Sequence, residues 1–436
     1  MKPLEVSKPA GQSPRDEASD GSSVHSLSSG RMTPAWPLFV ACTAATSTLI
    51  GTAMGNFFTV PDVEWYLKIA QGNTAAVIQP FAFRQLGPLV CRALTFIPHI
   101  GVGSAYVLEG VVSLLVLLGI VGFMLRREGA NPIVLAAVGG LAFWSELFSG
   151  LGLPDLWYAG LLSIFLLFLY QKHFLAAASM LFPLYLSRES TILVLFCLLV
   201  VGWRRIRALD YAVAVIASFS GMRIVKFLAS ASMANREQMD PNLYLAGKVP
   251  WNFAKNVLGI PLWNNLNQGN CAAPQWQTNL RLGGMHTVGV CPYQPSFTVW
   301  TLRLALSCFG LLPLLLVYLW LKKHRSIWTE DLLLRFCVLY GGISFFLAPE
   351  LGATVPRLFS YAWPLFVVAV PILAMKHLTV PRRVVAPLLV LHLAIAWSVV
   401  LNHTFKMDLQ SEVLALLAIV AANAGAWMLL RQCRFA

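Results

Sequence analysis

Two carboxylates, a lysine and an arginine follow the first long apolar run of this chain. They lie in Pro61-Asp62-Val63-Glu64-Trp65-Tyr66-Leu67-Lys68-Ile69-Ala70 and Pro80-Phe81-Ala82-Phe83-Arg84-Gln85-Leu86-Gly87-Pro88. Ionisable groups are costly to keep near lipid, so at a membrane boundary they point first to function. A carboxylate in a tuned environment can serve as a general base that removes the proton of an acceptor hydroxyl. Asp62 is the first candidate and Glu64 its competitor. On an extended segment the two share a face; on a helix they diverge by roughly 200°. Capping is an equally good account of Asp62, which follows Pro61 and opens the amphipathic Trp65-Tyr66-Ile69 pattern.

Arg84, Arg188 and Arg357 each sit in apolar sequence at the end of a hydrophobic run. A guanidinium presents a planar fork of donors that matches phosphate oxygens bidentately. Three of them suit a lipid-phosphate donor whose departing phosphate gathers charge. The structural alternatives are pairing of Arg188 with Glu189 or Asp155, pairing of Arg357 with Glu350, and snorkelling to the interface. Asp155, in Pro154-Asp155-Leu156-Trp157-Tyr158, reads better as a cap or ion-pair partner than as a second base. A divalent cation on Asp62, Glu64 or Asp155 would find oxygen ligands, but nothing demands one. No Cys/His cluster has zinc spacing, and no Walker, dinucleotide or G-x-S-x-G motif occurs.

The elements that must position these groups are membrane helices. The chain is 57% hydrophobic and 12% charged over 436 residues, with mean hydropathy +0.68; soluble domains carry roughly 25% charge. We read an all-α polytopic protein with about twelve spans, at roughly 35–55, 104–125, 131–148, 156–171, 174–187, 189–203, 209–229, 298–321, 331–348, 358–376, 384–401 and 411–430. The formal charge of +13 does not point to nucleic acid, because the basic residues form short clusters between apolar runs. Those clusters are Arg126-Arg127, Lys172-His173, Arg204 to Arg207, Lys322 to Arg325, Lys376 with Arg382-Arg383, and Arg431 with Arg434. All fall on one side if both termini are cytoplasmic, as the positive-inside rule expects. Residues 1–33, rich in Ser, Pro and Gly, read as a disordered cytoplasmic tail ahead of the membrane domain 34–436.

Parity then sends the first loop (56–103), Asp155, Arg188-Glu189, a large loop (230–297), Glu350 and Arg357 to the outer face. Cys271 and Cys291 in the large loop would face an oxidising compartment and are a candidate disulfide, two unrelated thiols being the alternative. The same loop carries Tyr244, Trp251, Trp263, Trp276 and Tyr293 among many amides. These would suit a carbohydrate or a polar head group, or simply the membrane interface.

The first loop resembles that of the GT-C superfamily of multi-pass glycosyltransferases. The resemblance is carried by Asp62, Tyr66, Ile69 and Ala70, then Pro80, Phe81, Arg84, Leu86 and Pro88. It implies a polyprenyl-phosphate-linked sugar donor and an essential acid in this loop, which would be Asp62 with Glu64 beside it. Arg84, Arg188 and Arg357 would hold the donor phosphate, and Tyr66, Asp155, Glu189 and Glu350 would support the site. The chain lacks the paired Asp-Glu and the large soluble C-terminal domain of some members. The expectation is sugar transfer to a glycan, lipid or protein acceptor at the outer face of the cell (inner) membrane. The rivals are a transporter or flippase for a lipid-linked or anionic solute, a surface-polysaccharide polymerase or ligase, and a non-catalytic assembly subunit.

Overall fold

The computed structural model describes residues 35–54, 62–78, 81–232, 241–264, 271, 275–278, 288–327, 331–351, 355–404 and 408–435. The tail read at 1–33 and Pro80 of the first-loop motif lie outside the described residues. The helices are α1 (Ala35–Ala53), α2 (Val63–Ala70), α3 (Leu86–Leu94), α4 (Val102–Arg127), α5 (Pro132–Gly139), α6 (Phe143–Ser149), α7 (Pro154–Tyr170), α8 (Phe174–Ser187) and α9 (Thr191–Gly202). They continue with α10 (Ala208–Leu228), α11 (Pro241–Asn256), α12 (Pro295–Ser307), α13 (Leu312–Ile327), α14 (Leu332–Leu351), α15 (Val355–Phe359), α16 (Val370–His377), α17 (Arg382–Thr404) and α18 (Leu409–Leu430).

The protein is an all-α polytopic membrane protein, but the expected count of twelve full spans needs correction. Among the described residues, α1, α4, the α5–α6 stretch, α10, α14, α17 and α18 are long and apolar enough to cross a membrane. The pair α12–α13, bent by 69°, adds an eighth if it is a single broken span. The apolar helices α7, α8, α9 and Pro364–His377 have at most 17 residues. At about 1.5 Å per residue they reach no more than about 26 Å, short of a hydrocarbon core of about 30 Å. The apolar runs read at 156–171, 174–187 and 189–203 match α7, α8 and α9 closely; counting each as a full span is what fails.

Amphipathic α2 illustrates how the outer loop is anchored. Val63, Tyr66, Ile69 and Ala70 recur at helical spacing and are buried. They share a small core with Val77, Ala82, Cys91, Ala105, Tyr106 and Leu153. Full burial of such side chains contributes roughly 1.5–3 kcal/mol each, enough to hold a two-turn helix that could not stand alone. Tyr106 adds a hydrogen bond from its hydroxyl to the Tyr66 carbonyl at 3.0 Å. The large loop is not purely irregular: after α11 it forms an antiparallel sheet of β1 (Leu262–Asn264), β2 (Trp276–Thr278) and β3 (Val288–Val290) in the order β1-β3-β2. The Cys271–Cys291 disulfide is formed beside it.

Two buried polar links join helices elsewhere. Arg303 of α12 donates to Glu412 of α18 at 2.7 Å and to the Ser398 carbonyl of α17 at 3.0 Å. At the α12–α13 break, Gly310 takes φ +58°, and His392 of α17 accepts from the Leu311 N–H at 3.0 Å through Nδ1. That bond leaves the ring proton on Nε2, which donates to the Ala137 carbonyl at 3.0 Å. A Cβ at residue 310 would stand 2.6 Å from His392 Nδ1, so the break needs glycine for both its backbone and its space. We therefore expect His392→Phe, which orphans the Leu311 N–H, to cost about 1–3 kcal/mol. A clear fall in apparent melting temperature of the purified protein checks this.

Candidate functional site

Six of the charged residues singled out in the sequence meet in one place. Asp62 precedes α2, Arg84 lies just before α3, and Asp155 is in the first turn of α7. Arg188 and Glu189 form the α8–α9 turn, and Arg357 comes from α15. The turn is tied to the first loop through its backbone, the Gln85 N–H donating to the Leu186 carbonyl at 2.9 Å.

All three side-chain nitrogens of Arg84 are engaged. Its Nε donates to Glu189 Oε2 at 2.9 Å, Nη2 to Glu189 Oε1, and Nη1 to the Tyr66 hydroxyl at 2.7 Å. Burial pushes the Tyr66 phenol up despite the pull of Arg84, so Tyr66 stays neutral and accepts this bond. Burial also pushes the Glu189 carboxyl up, but the Arg84 charge and hydrogen bonds outweigh it and hold it at about 2. Because the Glu189 side chain keeps 36% exposure, solvent weakens this pair.

Arg188 turns away from its neighbour Glu189. Its backbone is extended, with φ −164° and ψ 138°, and adjacent side chains on an extended backbone point to opposite sides. Arg188 Nη1 instead donates to Asp155 Oδ1 and to the Tyr361 hydroxyl, and its guanidinium lies 4.4 Å from the Tyr361 ring centre. The side chains of Arg188 and Asp155 are 7% and 4% exposed.

Arg357 is held differently. Its Nε lies 2.9 Å from Asp155 Oδ2 and its Nη1 3.7 Å from Asp62 Oδ2. Neither Nε nor Oδ2 of the closer contact completes a hydrogen bond, so charge alone holds them. With 17% side-chain exposure, Arg357 is the most open of the three arginines.

Asp62 is the N-cap residue of α2, yet its side chain makes no capping bond. It faces Arg357 and keeps 37% exposure. The helical divergence of Asp62 and Glu64 is realised: Glu64 points outward at 66% exposure and pairs with Lys68 at 2.6 Å. The structure does not bring Glu64 to the cluster. Glu350 is partly buried near the end of α14 and joins none of the cluster's ion pairs; Arg357 pairs with Asp155 and Asp62 instead. Among the described residues no group of three or more His, Cys, Asp or Glu side chains is arranged to hold a metal ion. In the large loop, Trp276 and Tyr293 are 59% and 64% exposed.

Tyr361, which bridges Asp155 and Arg188, was not anticipated. Its position one helical turn after Arg357 was a usable signal. The cluster thus has a buried end, where Arg84 and Arg188 meet carboxylates and tyrosines although Arg188 Nε makes no hydrogen bond, and a more exposed end at Arg357 and Asp62. Chemically the open end offers a carboxylate beside a guanidinium with spare donors.

No protein-family model matches the chain, and no match was found among curated proteins or solved structures.

Removing one partner of a buried pair leaves an uncompensated charge, which costs about 3–5 kcal/mol. Arg188→Leu and Asp155→Leu should each lower the apparent melting temperature sharply, with the double variant less affected than the two losses combined. The Arg84–Glu189 pair also sets a pH window. The folded Glu189 value of about 2 lies below the unfolded value of about 4.3, so between them the unfolded state binds more protons. The contribution is complete above pH of about 4.5 and is lost as pH falls towards 2. Unfolding measured from pH 7 to pH 3 should show a smaller acid-side decline in Glu189→Gln than in the wild type.

Proposed function

We propose that this chain is an integral-membrane glycosyltransferase of the GT-C type. It transfers a sugar from a polyprenyl-phosphate-linked donor to an acceptor on the extracytoplasmic face of the inner membrane. The observation that carries the reading is the open end of the network. Asp62 is the acid of the cluster whose carboxylate is partly exposed and loosely held, 3.7 Å from an arginine with donors to spare. In this reading Asp62 takes the proton of the acceptor hydroxyl. The acceptor oxygen bonds to the anomeric carbon, the carbon–oxygen bond to phosphate breaks, and the electron pair leaves on the phosphate oxygen. Arg357 stabilises that charge, as a preorganised donor should. Arg84 and Arg188, more deeply buried than Arg357, hold Tyr66, Asp155 and Glu189 in place and do not face the donor.

The topology belongs to the same proposal. In it both termini are cytoplasmic and the network lies outside. The first-loop resemblance to GT-C enzymes and the Cys271–Cys291 bridge, which suits an oxidising compartment, support this orientation. A transporter for an anionic lipid-linked solute is the second reading. It is favoured by the 69° break between α12 and α13, because transporters build sites from broken helices.

Loss of a general base typically costs 10²–10⁴-fold. Asp62→Asn, folded normally and reconstituted with lipid-linked sugars, should transfer sugar at least about a hundredfold more slowly than wild type. Transfer at the wild-type rate would remove Asp62 as the base. Sugar-lipid movement across vesicles without any transfer would favour the transporter.

A further inference from the structure

The arginine network is balanced in charge. Arg84 pairs with Glu189, Arg188 with Asp155, and Arg357 with both Asp155 and Asp62. Three guanidiniums therefore face three carboxylates, and an added anion brings a surplus negative charge. The acid that this anion meets first decides what the surplus costs.

That acid is Asp62. It makes no capping bond to the helix it precedes. At 3.7 Å from Arg357 Nη1, its carboxylate is held by charge and not by a hydrogen bond. The Asp62 side chain is 37% exposed, whereas Asp155, the other acid beside Arg357, is 4% exposed. An anion that reaches Arg357 from solvent thus meets the Asp62 carboxylate, and like charges at contact distance repel even in water.

The effect depends on when Asp62 carries its charge. While Asp62 is ionised, a phosphate must share Arg357 with a resident carboxylate and is held weakly. Once Asp62 has taken a proton, the network has a net positive charge and Arg357 is left to the phosphate. An interaction that strengthens as the reaction proceeds lowers the barrier; one of constant strength does not.

We propose that Asp62 is a specificity-determining anion that competes with phosphate for Arg357 and is relieved by the proton it takes from the acceptor. In the transfer step that proton moves from the acceptor O–H to the Asp62 carboxylate. The oxygen's electron pair forms the bond to the anomeric carbon, and the carbon–oxygen pair leaves on the phosphate. One negative charge thus passes from Asp62 to the phosphate beside the same arginine. This coupling rests on the sugar-transfer reading; the competition for Arg357 does not.

The test measures octyl phosphate binding to the full-length protein in phosphatidylcholine nanodiscs, with empty nanodiscs as the blank, and sugar transfer in parallel. Asp62→Asn should bind octyl phosphate roughly threefold to fivefold more tightly than wild type. Glu64→Gln removes an acid that faces Lys68 instead and should leave the affinity unchanged. Asp62→Asn added to Arg357→Gln should give no gain over Arg357→Gln alone. Asp62→Ser carries the same comparison if Asp62→Asn fails to fold.

No saturable binding in Asp62→Asn, an affinity at or below wild type, or an equal gain in Glu64→Gln overturns the competition. Tighter phosphate binding in an Asp62→Asn protein that transfers sugar at the wild-type rate upholds the competition and removes Asp62 as the base. Slow transfer with unchanged phosphate affinity does the reverse.

Discussion

A carboxylate buried like that of Asp155 cannot stand alone in a helical bundle, and the rest of the site is arranged around satisfying it. With 4% of its side chain exposed, Asp155 takes Arg188 and the Tyr361 hydroxyl on one oxygen and faces Arg357 on the other. That requirement joins three separate parts of the chain: the start of α7, the α8–α9 turn and α15. It also divides the arginines. Arg188 meets the demand through Nη1 at 7% side-chain exposure, whereas Arg357 meets it by charge alone and is more open, at 17%.

The first loop completes the arrangement from the other side. The buried stripe of α2 sets that helix on α4, places Tyr66 under Arg84, and leaves Asp62 at its exposed end facing Arg357. The same stripe turns Glu64 and Lys68 outward. One amphipathic helix of eight residues thus decides which of two neighbouring acids belongs to the site. Short helices around a buried polar network are an arrangement that interior packing, rather than lipid, has to stabilise.

Much of this was legible in the sequence. Apolar runs and alternating basic clusters identify a helical membrane protein, because lipid admits few alternatives. Helical geometry implied that Asp62 and Glu64 diverge, but which of them faces the cluster was left open in the sequence and is decided by the buried face of α2. The partner choices were not legible. Arg84 finds Glu189 across 105 positions, and Arg188 rejects the adjacent Glu189 because of an extended backbone that its sequence does not announce. Glu350 was expected near Arg357 by proximity in sequence, but Arg357 is taken by Asp155 and Asp62. The span count went astray because runs that the sequence bounds well, such as 174–187 against α8, were counted as full spans although they are short.

The central claim is that the network is buried at Arg84 and Arg188 and open at Arg357. The most direct measurement is the affinity of a short-chain polyprenyl phosphate for the purified protein, compared between wild type and Arg357→Gln. A hydrogen bond to a charged group contributes about 1.5–3 kcal/mol, so Arg357→Gln should bind the lipid phosphate at least about tenfold more weakly. An Arg357→Gln protein that folds and binds the lipid phosphate as tightly as wild type would contradict the account.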